Sequence, residues 1–311
     1  RVEPAISLRA VVMVGGRSES MHPGSARQRS DVVNAPIGVF DSGVGGLTVL
    51  RELRRVLPQE SFVYLGDTAR LPYGTKSPES IRRYAQQAAG LLLQHGVKCL
   101  VVACNTASAL ALDALTEEFA PVPVLGVLEP GAAAACQATR SGRIAVIATE
   151  STIRGDAYRL AISRRRPDAQ VDSRACALLV ALAEEGWTEG PVVEAIIGRY
   201  LGDLRADDGT EQRVDTVLLG CTHFPVLAPA IAGVVGPGVR IVDSAVTTAA
   251  VLSATLDEQA LRASGHAGQT LRLLATDGAG RFARVGGTFL GQPLRESDVE
   301  IVDLKGNAAA G

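Results

Sequence analysis

Two cysteines stand at matching places in this sequence, each at the end of an apolar run. Cys104 follows "KCLVVA" (98–103) and precedes Asn105-Thr106, and Cys221 follows "DTVLLG" (215–220) and precedes Thr222-His223. A free cysteine is among the most buried residue types, so each could be a small core residue. The repeated pattern of strand, thiol and polar residues favours the other interpretation, in which two related halves each present one thiol to a substrate.

Two further apolar runs also end in chemically active residues. "IGVF" (37–40) leads into Asp41-Ser42-Gly43, and "SFVYLG" (61–66) leads into Asp67 and then "LPYG" (71–74). In open parallel sheets, ligands bind beyond the carboxyl ends of the strands. The four strand ends therefore predict where a functional site lies.

The elements that position these residues alternate along the chain. Between the apolar runs lie segments long enough for helices, such as 78–95, 105–119, 189–205 and 244–263. Further strand-like runs are "VPVLGV" (122–127), "RIAVIA" (143–148), "VRIVD" (239–243) and "TLRLLA" (270–275). Uninterrupted apolar strands that alternate with helices indicate an α/β fold with mainly parallel sheets, covered by helices on both faces.

Length and composition narrow the class of protein. The chain has 311 residues, 47% hydrophobic residues and a formal net charge of −2. This length favours two domains, and the charge gives no basic field that would bind nucleic acid directly. The sequence has no run of about 18 or more apolar residues, so it predicts no membrane span. Residues 1–35 mix Ser, Arg, Gly and Pro without periodicity and predict a poorly ordered extension with no secretory signal.

The five cysteines do not form a disulfide pattern. Their number is odd, they are widely spaced and no CxxC occurs, which favours a reducing cytoplasm. Cys99, Cys136 and Cys176 are predicted to be core residues. We assign no role to the remaining histidines, which are His22, His95 and His266.

A dinucleotide site is one alternative for the glycine-rich segment "DSGVGGLTVL" (41–50). It offers Gly43, Gly45 and Gly46, but Thr48 stands where the third glycine of GxGxxG belongs, and no lysine follows as a phosphate-binding loop requires. We favour a tight turn from strand to helix that brings backbone N–H groups near an anionic ligand.

Zinc and pyridoxal phosphate are two further alternatives. Cys104, Cys221, His223 and Asp41 have the right ligand types for zinc, but they lack the close pairing typical of structural sites. Pyridoxal phosphate needs a Schiff-base lysine. Of the three lysines only Lys76 lies near one of these strand ends, in a turn that reads as solvated.

Five stretches resemble the glutamate racemases of the cofactor-independent aspartate/glutamate racemase superfamily. They occur in the family's order, and the resemblance runs from about Ile37 to Leu304. The stretches are "GVFDSGVGGLTVL", "YLGDTARLPYGTKS", "VVACNTAS", "ACALLVALAEEG" and "LLGCTHFP".

The resemblance implies two pseudo-symmetric α/β domains with the active site in the cleft between them. On this basis residues 36–129 and 240–305 form the first domain and residues 130–239 the second. Residues 1–35 are an extension and residues 306–311 a tail. The resemblance also implies interconversion of L- and D-glutamate without cofactor or metal, which supplies D-glutamate for peptidoglycan. Aspartate racemase, or another two-cysteine isomerase, is the alternative within the superfamily.

The resemblance assigns a role to each matching residue. The catalytic residues are the thiols of Cys104 and Cys221, assisted by Asp41, His223 and Glu184. The substrate-binding residues are the pairs Asp41-Ser42, Tyr73-Gly74, Asn105-Thr106 and Thr222-His223. Ala177 and Ala181 stand where the family often has prolines, which leaves the choice between Glu184 and Glu185 open.

Two thiols suit racemisation, which takes a proton from one face of Cα and returns one to the other. A cysteine pKa of about 8.5 allows both thiolate and thiol forms near neutrality. We expect a helix N-terminus at Cys104 to lower its pKa. Asp41 would assist Cys104, and His223 would assist Cys221. Backbone amides with polar side chains would hold both substrate carboxylates, without an arginine.

Glutamate is the partner that the resemblance implies, and no membrane partner is expected. A homodimer is compatible with it. Some members with extended N-termini depend on a peptidoglycan precursor as activator, and some bind DNA gyrase. Nothing in residues 1–35 of this sequence decides either point.

Overall fold

The structure is a computed structural model, and it describes residues 31–205, 213–263 and 270–304. Most of the predicted extension (1–35) and all of the predicted tail (306–311) lie outside these ranges. No helix in the part of the chain so described is long and apolar enough to cross a membrane.

Ten strands in this part of the chain form two sheets. The strands are β1 (Ile37–Asp41), β2 (Phe62–Gly66), β3 (Cys99–Val102), β4 (Val124–Gly126), β5 (Arg143–Ala148), β6 (Gln170–Ala175), β7 (Thr216–Gly220), β8 (Arg240–Asp243), β9 (Leu271–Ala275) and β10 (Val299–Ile301). The first sheet has the order β10-β9-β2-β1-β3-β4, and the second has the order β6-β5-β7-β8. Every neighbouring pair is parallel.

The two sheets repeat one topology. In the first sheet the strands β1 to β4 lie in the order second-first-third-fourth, and β5 to β8 lie in the same order in the second sheet. Cys104 follows the third strand of the first set, two residues after Val102, and Cys221 follows the third strand of the second set directly. The expected pair of similar halves is thus visible in strand order, with one thiol in each half.

Helices cover both sheets. They are α1 (Leu47–Val56), α2 (Pro78–Gln94), α3 (Asn105–Leu110), α4 (Leu112–Glu118), α5 (Leu128–Ala138), α6 (Glu150–Arg154), α7 (Ala157–Arg165), α8 (Ala177–Glu184), α9 (Pro191–Leu201), α10 (Ala228–Val235), α11 (Ser244–Glu258) and α12 (Ala279–Leu290). Strands β1, β2, β3 and β7 are buried along their whole length, as strands covered on both faces must be. The predicted α/β class with mainly parallel sheets is confirmed.

The strand predictions are confirmed to within a residue or two, and two strands were not predicted. The segment 105–119 contains two helices, α3 and α4, which meet at Ala111. Strands β6, "QVDSRA", and β10, "VEI", are polar or very short, so neither gives an apolar run.

One predicted domain boundary needs correction. The prediction placed residues 240–305 in the first domain, but β8 pairs with β7 in the second sheet, with Thr216 opposite Arg240 and Leu219 opposite Asp243. Backbone hydrogen bonds therefore hold residues 240–243 in the second half. The remaining boundaries of the two domains stay a prediction.

Candidate active site

The first thiol lies where β3 passes into α3. Cys104 is the N-cap residue of α3, and its Sγ accepts a hydrogen bond from the backbone N–H of Ala107 at 3.4 Å. Its thiol donates to Ser42 Oγ at 3.5 Å, and only 5% of the residue is exposed. A strand end, a helix N-terminus and a neighbouring hydroxyl therefore fix this sulfur.

The pKa of Cys104 differs from the sequence-based expectation. Burial, together with the nearby charge of Asp41, raises the pKa of this thiol to about 12. The hydrogen bonds with Ser42 and with the Ala107 amide act in the expected downward direction. The helix N-terminus thus contributes as predicted, but the loss of solvation outweighs it, and the neutral thiol is the favoured form.

Asp41 ends β1 and is fully buried. Its Oδ2 accepts a hydrogen bond from the Gly43 N–H at 2.9 Å. Its Oδ1 has no hydrogen-bond partner among the described residues. Burial raises the pKa of this carboxyl, while the nearby charge of His223 opposes the rise. Asp41 is therefore a buried group that can take up a proton, with one oxygen still free to bind.

The second thiol has a chain of polar groups behind it. Cys221 Sγ lies 3.8 Å from His223 Nδ1, and His223 Nε2 lies 3.1 Å from Glu184 Oε1. Glu184 ends helix α8, and its Oε2 accepts a hydrogen bond from Arg281 at 2.8 Å. Glu185 is exposed. The contact with His223 therefore supports Glu184 as the assisting carboxylate.

The contact between His223 and Glu184 shifts the pKa of both groups. Burial alone would lower the pKa of His223, but the contacts with Cys221 and Glu184 outweigh it and raise the pKa to about 10. The hydrogen bond to His223 lowers the pKa of Glu184, against the effect of burial. Near neutral pH the site therefore holds an imidazolium between a carboxylate and the sulfur of Cys221.

The glycine-rich turn after β1 brings the two halves close together. A Cβ at Gly45 would overlap His223 Nδ1 and Thr222 Oγ1, so a side chain there would displace both of these groups. Thr48 Oγ1 lies 2.8 Å from the Gly45 carbonyl and 3.0 Å from the Thr222 carbonyl, and can donate to either. Thr48, which breaks the dinucleotide pattern, thus links the turn to the second thiol's loop.

Asn105 and Thr106 both meet residues of the second half. Asn105 Oδ1 accepts a hydrogen bond from the Tyr158 hydroxyl, whereas Asn105 Nδ2 is buried with no partner among the described residues. Thr106 Oγ1 lies 3.0 Å from Thr149 Oγ1 and 3.1 Å from Thr152 Oγ1. The free amide beside Cys104 and the cluster of hydroxyls are suited to binding a carboxylate.

The pair Tyr73-Gly74 also lies next to a residue of the second half. The Tyr73 hydroxyl donates to Asp67 Oδ2 at 2.5 Å, and Asp67 also accepts from Arg70 and Thr276. The Gly74 carbonyl accepts from Ser151 Oγ at 2.7 Å. Because the Tyr73 hydroxyl is already bonded, a substrate contact from this pair would use the backbone.

Sequence reasoning missed several residues of the site. They are Thr48, Thr149, Thr152, Tyr158 and Arg281. Thr149-Glu150-Ser151-Thr152 follows β5, the first strand of the second half, just as Ser42-Gly43 follows β1. That parallel was a readable signal. Tyr158 and Arg281 gave none, because each lies inside an ordinary helix far along the chain from its partner.

The zinc alternative is not supported by the geometry. The described residues include no group of three or more His, Cys, Asp or Glu side chains placed to hold a metal ion. All five cysteines are free. Cys104 and Cys221 are instead near enough for a charge on Cys221 to raise the pKa of Cys104.

Several proteins are similar to this chain in sequence and in fold. Over 270 residues it is 50% identical to the glutamate racemase of Geobacter metallireducens, covering 86% of this chain and 97% of that one. The Francisella tularensis glutamate racemase structure, in complex with D-glutamate, superposes with a TM-score of 0.79 at 36% identity, covering 88% and 99%. The Thermus thermophilus enzyme in complex with β-chloro-D-alanine gives a TM-score of 0.76 at 41% identity, covering 88% and 98%.

The family itself follows from a match that spans most of the described chain. The model of the Asp/Glu/Hydantoin racemases matches residues 37–252, a range that contains both thiols, His223 and Glu184. The chain therefore belongs to the Asp/Glu/Hydantoin racemase family.

Proposed function

We propose that this protein is a glutamate racemase that works with two cysteines, one on each face of the substrate Cα. The observation that carries the proposal is the pair of thiols at the ends of equivalent strands, each beside its own acid–base group. Cys104 lies in a region of buried charge with Asp41, and Cys221 lies beside the imidazole of His223. This pairing supplies a base and an acid in either direction.

For L-glutamate the proposed reaction starts from a thiolate at Cys221 and a neutral thiol at Cys104. The Cys221 thiolate, beside the imidazolium of His223, removes the Cα proton from one face. The Cys104 thiol, kept neutral by burial, delivers its proton to the other face and becomes a thiolate. The product is D-glutamate, and the site then holds the thiolate and thiol that the reverse reaction needs. By resemblance to the family, Cys104 deprotonates the D enantiomer and Cys221 the L enantiomer.

The unpartnered polar atoms support a place for the substrate's charged groups. Asn105 Nδ2 can donate to a carboxylate, and Asp41 Oδ1 can accept from an ammonium group. The hydroxyl of Thr106 in the first half and those of Thr149 and Thr152 in the second half give further donors. Ser42 and Thr222 complete the binding set implied by the family resemblance.

The biological setting follows from the family. The reaction supplies D-glutamate for peptidoglycan synthesis and uses no cofactor. Free thiols suit the reducing cytoplasm, and we place the reaction there.

The experiment measures turnover of the purified full chain on L-glutamate and on L-aspartate, followed by loss of optical activity. We expect turnover of glutamate, in both directions, and little or none of aspartate. Retained activity after chelator treatment is also expected. Turnover of aspartate alone would replace this proposal with the aspartate racemase alternative, and a requirement for added metal would contradict the two-thiol mechanism.

A further inference from the structure

Helix α12 belongs to the first half, since it lies between β9 and β10, yet it contacts the residues that serve the second thiol. Arg281, in its first turn, donates to Glu184 Oε2 at 2.8 Å. Phe289, two turns later, packs edge-on against the His223 ring, with ring centres 5.2 Å apart and an interplanar angle of 73°. One helix thus holds both members of the His223–Glu184 pair.

The contact with Arg281 leaves Glu184 with one oxygen for each neighbour. Oε1 faces His223 Nε2 and Oε2 faces the guanidinium, so the carboxylate plane is fixed by two partners. Beside this contact lies a cavity of about 140 Å³ lined by Thr68, Leu71, Glu184, Arg281 and Phe282, among others. The cavity leaves open space beside Glu184, and the hydrogen bond from Arg281 holds its second oxygen at the edge of that space.

We propose that Arg281 is a positioning residue for the second thiol, acting through Glu184 and His223 on Cys221. The inference rests on the proposed function. Because Arg281 belongs to the first half and the other three residues to the second, the relay behind Cys221 is complete only when the halves meet at this contact. Cys104 has no such dependence on Arg281, since its hydrogen-bond partners are Ser42 and Ala107.

If Arg281 had a purely structural role, its replacement would have a different effect on the two thiols. The Arg281 side chain is 54% exposed, and an ion pair with so exposed a partner contributes little to stability. Its loss should therefore leave the melting temperature almost unchanged. If the contact served only to hold the halves together, its loss would weaken reactions at both thiols alike.

The test separates the thiols with the two enantiomers of β-chloroalanine. A thiolate removes the Cα proton, the released electron pair forms the Cα=Cβ bond, and chloride leaves from Cβ. The resulting aminoacrylate hydrolyses to pyruvate and ammonia, so pyruvate reports deprotonation by a single thiol. The enantiomer that a Cys221→Ser variant fails to process identifies the substrate of Cys221.

For that enantiomer, Arg281→Met should lower kcat by roughly three- to tenfold, with KM unchanged, because a charge-assisted contact to the positioning carboxylate is lost. The other enantiomer should react within about twofold of the wild-type rate, because the substitution leaves the hydrogen bonds of Cys104 with Ser42 and Ala107 unchanged. Arg281→Lys should recover most of the loss. Arg284→Met is the matched control, because Arg284 is exposed on the same helix and forms no ion pair with the described residues. This variant should behave as wild type.

Equal losses on both enantiomers, no loss at all, or a loss confined to the Cys104 enantiomer would overturn the inference. Racemisation of glutamate by the wild-type chain distinguishes failure of this inference from failure of the proposed function. If the wild-type chain does not racemise glutamate, the proposed function fails before any variant is compared.

Discussion

The two thiols end equivalent strands of two similarly ordered sheets, but their surroundings differ. Cys104 is held by a hydroxyl and a backbone amide from its own half, next to the buried carboxyl of Asp41. Cys221 faces an imidazole that is linked through Glu184 to the half-exposed Arg281 of the other half. Burial raises the pKa of Cys104, whereas the neighbour of Cys221 is an imidazole whose own pKa is raised to about 10.

The comparison shows how one topology supplies two unlike groups. Parallel strand order places a residue after the third strand at the carboxyl edge of each sheet, where ligands bind. The side chains around the two thiols then differ: a buried carboxyl lies near Cys104 and an imidazole beside Cys221. A reaction that needs a base on one face and an acid on the other benefits from this inequality.

Replacement of either thiol should have the largest effect and would test the comparison directly. Cys104→Ser and Cys221→Ser should each lower racemisation by about 10²–10⁴-fold, since each direction needs both groups. Each variant should still eliminate chloride from one enantiomer of β-chloroalanine: D for Cys221→Ser and L for Cys104→Ser. Pyruvate formation measures this.

Cys136→Ser is the matched control, because Cys136 is a half-buried thiol in α5, and it should keep wild-type racemisation. Two variants that lose both eliminations equally, or one that keeps wild-type racemisation, would disprove the two-base assignment.

A smaller and graded difference should appear when the supporting groups are changed. His223→Gln removes the cation beside Cys221 and should slow elimination from the L enantiomer by about 10²-fold. Ser42→Ala removes one hydrogen bond to Cys104 and should slow the D enantiomer by roughly two- to tenfold. Steady-state kcat on each enantiomer is the measurement. If either variant affects mainly the opposite enantiomer, the assignment of supporting groups to thiols is wrong.

The smallest effect concerns stability and pH. The pKa of His223 is raised from 6.5 to about 10 on folding, so its stabilising contribution is full below about pH 6.5 and is lost as the pH rises towards 10. The Cys104 pKa is raised from 9.0 to about 12, so its contribution is lost only above pH 9.

Melting temperatures between pH 6 and 9 check this difference. The gap between wild type and His223→Gln should narrow by a few degrees across the range, since roughly 2–4 °C accompanies each kcal/mol. The gap between wild type and Cys104→Ala should stay constant. A gap for His223→Gln that does not change with pH would contradict the raised imidazole pKa.

Local patterns were enough to predict most of the fold. Apolar runs such as "RIAVIA" and "DTVLLG" became β5 and β7, because a strand covered on both faces needs apolar residues at successive positions. The same reasoning failed for β6. Its sequence "QVDSRA" reads as polar, and it is a strand because it lies at the sheet edge and pairs along its length with β5.

The sequence by itself determined the two thiols and the polar residues next to them, since each follows its strand directly and the strand order then fixes its edge of the sheet. Only the tertiary structure decided what stands behind each thiol. Glu184 and His223 are 39 residues apart, and Arg281 and Glu184 are 97 apart. Contacts over such separations depend on how the two halves pack, and neither periodicity nor local spacing records that packing. The pKa values of Cys104 and His223 depend on such contacts and on burial, so they too were decided by the fold.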